Sequence, residues 1–122
     1  MNTVLWIAQG ILAVMFGMAG VMKSTQPIDK LMKSGLNWVE RFPIPTLRFI
    51  GLCELLGAIG LILPWASGIL PILTPIAAAG LCIMMLLAAF HHLNHKESKA
   101  VVFNIVLLLL AAFVAYGRFT SL

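Results

Sequence analysis

The sequence predicts an all-α integral membrane protein, an antiparallel four-helix bundle with a short interfacial amphipathic helix between the first two spans. Two observations carry this. Of 122 residues, 61% are hydrophobic and 10% charged, and the mean hydropathy is +1.05; soluble domains carry roughly 25% charged residues. Almost all of the charge sits in residues 23–48 and 96–99. A soluble domain this small buries only about 60–70% of its unfolded surface, so the apolar excess must face lipid. The length suits one domain, 1–122, with no soluble catalytic domain beside it.

The first span is expected over about residues 4–22, ending at Lys23. It lacks a basic segment before it and a small-x-small cleavage site after it, so it reads as a retained span rather than a signal peptide. Pro27 and Asp29 then mark a helix start. Ile28, Leu31, Met32, Leu36, Val39 and Phe42 recur at helical spacing, with Lys30, Lys33, Asn37, Glu40 and Arg41 opposite. This gives an amphipathic helix over about 27–42, bent or broken at Gly35 and ended by Pro43-Ile44-Pro45. It lies in the membrane plane, packs over the bundle end, or does both.

The second span is expected over 47–63. The apolar stretch Trp65–Leu73 carries Gly68 and Pro71 and reads as an interfacial turn or as extra span length. The third span covers 75–92, with Thr74 as N-cap and Pro75 in the first turn. The fourth covers 100–116. Each span has about 17–19 residues, near the lower limit for a bilayer core of about 30 Å.

Orientation follows from the basic residues. Every Lys and Arg except Arg118 falls at the end shared by loops 23–46 and 93–99. That bias puts those loops in the cytoplasm and both termini outside, as in a bacterial inner membrane. The net charge of +4 has its explanation there. No basic stripe with interleaved aromatics points to nucleic acid, so none is expected as a partner.

Glu54 is the residue that breaks the apolar pattern. A carboxylate at bilayer depth is costly unless paired, and such residues face the bundle interior. Gly51, Gly57 and Ala58 lie within about 60° of it on a helical wheel. That flat face allows another helix or a cavity to come close. Glu54 lies roughly 10 Å in from the loop end, and Asn104 roughly 6 Å in on the fourth span, which makes Asn104 a candidate partner. Lys23 reaches inward or snorkels outward. Arg48 is six residues from Glu54 and faces another side. Two roles stay open for Glu54: a hydrogen-bonded carboxylate that sets bundle register, or a group that handles a ligand or proton.

His91, His92 and His95 form the one metal-like cluster. No Glu follows His91 to complete an H-E-x-x-H motif, and His near a helix C-terminus complements the dipole. No metal is expected, and His92 at the mouth of a cavity is the functional alternative. Cys53 and Cys82 both lie in apolar segments without a C-x-x-C pair, so no disulfide is expected. No phosphate loop, nucleophile–base pair or dinucleotide fingerprint is present, which argues against an enzyme.

The segments Phe16-Gly17-Met18-Ala19-Gly20-Val21-Met22-Lys23 and Arg48–Pro64 (with Gly51-Leu52-Cys53-Glu54-Leu55-Leu56-Gly57-Ala58 at its centre), His92 and the closing Ala115-Tyr116-Gly117-Arg118-Phe119 together resemble the DoxX-like family of small four-span bacterial membrane proteins. The resemblance covers nearly the whole chain. It implies a compact antiparallel bundle in the inner membrane, and it carries over Lys23, Glu54 and His92 as positions of interest. Some relatives are linked to thiosulfate:quinone oxidoreduction, others to thiol or oxidative-stress complexes, and animal relatives to receptor assembly. The cysteine pair that thiol exchange needs is missing here.

The leading expectation is a binding module. It holds a small apolar ligand, such as a quinone or lipid, near Glu54, with Lys23, Asn104 and His92 around it. An accessory subunit of a membrane redox or stress-response complex and a small transporter or enzyme are the alternatives. Partners besides the bilayer would be redox-complex subunits or a second copy of the chain.

Overall fold

The computed structural model describes residues 2–33, 35 and 41–122. Among them are five helices and no strand: α1 (Asn2–Thr25), α2 (Ile28–Lys33), α3 (Ile44–Ser67), α4 (Leu73–Asn94) and α5 (Ser98–Thr120). The four long helices are each apolar and long enough to cross a membrane. Large apolar side chains such as Ile11, Phe49, Leu87 and Leu109 are exposed along them. The chain is a multi-pass membrane protein whose bundle offers these side chains to lipid.

All four long helices extend past the expected spans. Pro43-Ile44-Pro45 starts α3, with Pro43 as N-cap and Pro45 in the first turn. Proline fits there because the first N–H groups of a helix have no intrahelical acceptor. The described part of the amphipathic helix is α2. It ends at Lys33, and Gly35 takes φ +98°, a left-handed conformation that favours glycine. Arg41 and Phe42 form a turn before α3, and residues 34 and 36–40 of the expected helix lie outside the described ones. Leu31 of α2 is fully buried, packed with Leu47, Met22 and Ile28 over the end of α1 and α3.

Trp65 to Ser67 lengthen α3, which closes on Gly68 in a left-handed C-cap (φ +74°) whose N–H donates to Pro64 O. Thr74 is not the N-cap of α4. The helix begins one residue earlier, and the Thr74 hydroxyl donates across to Gly60 O of α3 at 2.9 Å. Pro64 supplies the reason. It has no N–H for the carbonyl four residues back, which is Gly60 O. In a membrane core a freed carbonyl needs a partner from a neighbouring helix. The next carbonyl, Leu61 O, accepts from Gln9 Nε2 of α1 at 2.6 Å.

Neighbouring helices run antiparallel and pair as α1 with α3 and α4 with α5. The two chain ends and the 68–72 turn share one end of the bundle, called the terminal end here; the other is the loop end. The core between the pairs is built from Leu12, Phe16, Leu61, Ala78, Leu81, Ala111 and Val114. Polar contacts tie one pair to the other at both ends: Thr74 to Gly60 and Arg118 of α5 to Gln9 of α1 at 2.6 Å at the terminal end, and Arg41 before α3 to Glu97 before α5 at 2.7 Å at the loop end.

Candidate functional site

Two glycines set the geometry of the loop half. A Cβ on Gly20 would lie 2.6 Å from Leu55 N and 2.7 Å from Gly51 O; one on Gly51 would lie 2.6 Å from Ser24 N and 2.9 Å from Gly20 O. The backbones of α1 and α3 therefore touch here, as only small residues permit. One turn further along each helix stand Lys23 and Glu54. Their contact, Lys23 Nζ to Glu54 Oε1, is 2.7 Å, with Glu54 2% and Lys23 9% exposed. Lys23 thus reaches inward. Arg48 stays off Glu54 and donates from Nη1 to Lys23 O at 2.9 Å and Gln26 O at 2.6 Å. These are carbonyls at the end of α1, where a cation complements the helix dipole.

Between the two pairs, in the loop half, lies a cavity of about 780 Å³. Its polar lining is Lys23, Glu54, His91, His92, Glu97 and Asn104; its apolar lining includes Met15, Phe16, Met22, Met85 and Leu107. Met18, Leu87 and Phe103 also line it and are themselves exposed, so it opens sideways toward the lipid face. All four expected site residues, Lys23, Glu54, His92 and Asn104, come together on this one cavity. The sequence offers Asn104 as a partner for Glu54, but the two are not hydrogen-bonded. Lys23 takes that position, and the buried Asn104 Nδ2 has no hydrogen-bond partner among the described residues. A buried amide N–H without an acceptor is costly and rare in a folded protein.

The mouth at the loop end is held by Glu97, the residue before α5. Its Oε1 accepts from Arg41 Nη1 at 2.7 Å and lies 3.0 Å from His92 Nδ1. Those two hydrogen bonds, Arg41's the stronger, pull the Glu97 carboxyl down to about 2. A carboxylate only accepts, so His92 carries its proton on Nδ1 and turns Nε2 elsewhere. Arg41 also meets His91 Nε2 at 3.2 Å, and Phe42 stacks on the His91 ring at 5.0 Å. His91 and His95 do share a face, with ring centroids 4.5 Å apart. However, His95 Nδ1 donates to His91 O at 2.9 Å, and among the described residues no group of His, Cys, Asp or Glu is placed to hold a metal.

A second depression, about 640 Å³, lies between α3 and α4 and is lined by residues such as Cys53, Leu56, Gly60 and Ala77. It presents an apolar surface to the bilayer. Cys82 lies elsewhere, with its thiol 3.8 Å from Leu108 O.

Sequence reasoning missed the polar cluster at the terminal end. Arg118 is 1% exposed. It donates from Nε to Gln9 Oε1 at 2.6 Å and from Nη1 to Asn2 Oδ1 at 2.8 Å. Its guanidinium sits over the Trp65 ring at 4.5 Å and the Trp6 ring at 5.4 Å. The available signal was an amide at position 9 inside an apolar span, with a proline in the span beside it.

An apolar four-helix bundle with an internal carboxylate and a cavity at one end defines a small polytopic membrane protein. The chain belongs to the DoxX-like family, whose model matches residues 7–114. No curated protein and no solved structure matches it.

Proposed function

We propose that the chain is a ligand-binding module of the bacterial inner membrane. It holds one small apolar molecule bearing a carbonyl or hydroxyl, quinone-like or lipid-like, in the loop-end cavity. The observation that carries this is the Asn104 amide, buried in the cavity wall with a donor that no described residue accepts. A ligand carbonyl beside it supplies the acceptor. Lys23, Glu54 and His92 add polar groups to the same wall. The volume fits the few hundred to about 1,000 Å³ typical of small-molecule sites. Methionines on the lining adapt to irregular apolar shapes.

The lateral opening at Met18, Leu87 and Phe103 suits a ligand that arrives through the bilayer. Past Phe16 and Leu107 the bundle is filled by Leu12, Leu61, Ala78 and Ala111 up to the Arg118 cluster. That supports a blind pocket over a conduit for transport. The bias of basic residues orients the loops 23–46 and 93–99 to the cytoplasm and both termini outside.

The test is native mass spectrometry with organic extraction of the purified protein, of Glu54→Gln and of Asn104→Leu. A discrete small molecule in the parent protein, lost in both variants, is the expected result. Mixed bulk lipid in all three samples would return Glu54 to a purely structural role.

A further inference from the structure

The terminal end holds a charge without a counter-charge. Arg118 is buried, and its two bonded partners, Gln9 and Asn2, offer neutral amide oxygens. The third guanidinium nitrogen, Nη2, has no hydrogen-bond partner among the described residues. The described carboxylate side chains, Asp29, Glu54 and Glu97, all lie in the loop half, so none reaches it. A guanidinium stays charged in a protein, and leaving it buried and unpaired is strongly unfavourable. No described side chain supplies the anion that would pair with it.

Position narrows its chemistry. Arg118 is two residues from the end of α5, and Trp6 and Trp65 stack about it as aromatics do at headgroup level. The abundant anion at that depth is phosphate, whose oxygens suit a planar guanidinium. Exposed Tyr116, Phe119, Ile69 and Leu70 surround this end with surface for acyl chains. Asn2 is the first residue of α1, and helix ends open locally at little cost, which gives a route to Nη2.

We propose that Arg118 binds one phosphate group through Nη2, independently of the loop-end cavity. Gln9 and Asn2 fix the guanidinium, and the two indoles cover it. A phospholipid headgroup and free phosphate share this chemistry.

The rings of Trp6 and Trp65 supply the readout. Trp38→Phe protein in lipid-free detergent is titrated with phosphatidylglycerol, with diacylglycerol of the same chains, and with inorganic phosphate, following tryptophan emission. A saturable change with phosphatidylglycerol, at least about tenfold weaker with diacylglycerol, is expected. Saturation by inorganic phosphate alone would support the site and assign it to the free anion. An equal response to diacylglycerol, or none to either phosphate carrier, would overturn the proposal. Arg118→Gln in the same background should lose the response; if that variant does not fold, the titrations of the Trp38→Phe protein decide.

Discussion

Gly20 and Gly51 bring the backbones of two membrane helices into contact, so that a methyl group on either would sit under 3 Å from backbone atoms of the other helix. Lys23 and Glu54 meet because of that crossing. Substituting Gly51→Ala should force α1 and α3 apart and lower stability by about 1–3 kcal/mol, the range for overpacking. Gly10→Ala, where a Cβ meets nothing within 4 Å, is the matched control. Reversible unfolding in mixed micelles checks this, and equal stability of the two variants would refute it.

Thr74 and Pro64 should be energetically coupled. Thr74→Val removes the donor to Gly60 O and should cost about 1 kcal/mol. In a Pro64→Ala background residue 64 regains an N–H for the same carbonyl, so the Thr74→Val cost should largely vanish. A double-mutant cycle measures the difference; additive effects would show that the hydroxyl is not serving the carbonyl freed by the proline.

Asn104→Leu should separate binding from folding. The Asn104 Nδ2 has no hydrogen-bond partner among the described residues, so its removal should leave stability unchanged or raise it by about 1 kcal/mol. Retention of the cavity ligand should fall about tenfold, the effect of losing one hydrogen bond in an apolar site. Thermal unfolding and ligand content on the same sample give both numbers. A large loss of stability would mean that Asn104 holds the bundle together.

The loop-end mouth should respond to acid through Glu97. Its carboxyl is held at about 2, below the ordinary 4.5, by Arg41 and His92. A depressed pKa means that the stabilising contribution is complete above about 4.5 and is lost as pH falls toward 2. The groups facing it are Arg41 and His92, with His91 on the far side of Arg41. Hydrogen exchange of residues 95–100 should therefore accelerate between pH 4.5 and 2, after correction for intrinsic rates. Glu97→Gln should flatten that dependence; parallel curves would exclude Glu97 as the cause.

The four spans and the inward face of Glu54 were legible in the sequence, because length, hydropathy and glycine spacing are local. Lys23 was ambiguous, since a long aliphatic stem at a helix end can turn either way; the Gly20–Gly51 crossing decides it. Asn104, offered as a partner for Glu54, lines the same cavity without bonding to it, because helical rise gives depth and not the rotation of one helix against another. Thr74 carried the sequence signature of an N-cap, and its real role depends on Pro64 in a different helix. Gln9 and Arg118 are 109 residues apart and meet only through packing, so neither pattern nor spacing links them.

The two helix pairs are clasped at both extremities. Thr74 on Gly60 O and Arg118 on Gln9 close the terminal end, and Arg41 on Glu97, with Phe42 against His91, closes the loop end. The cavity lies beside the loop-end clasp, and acid that protonates Glu97 loosens that clasp while the other stays shut.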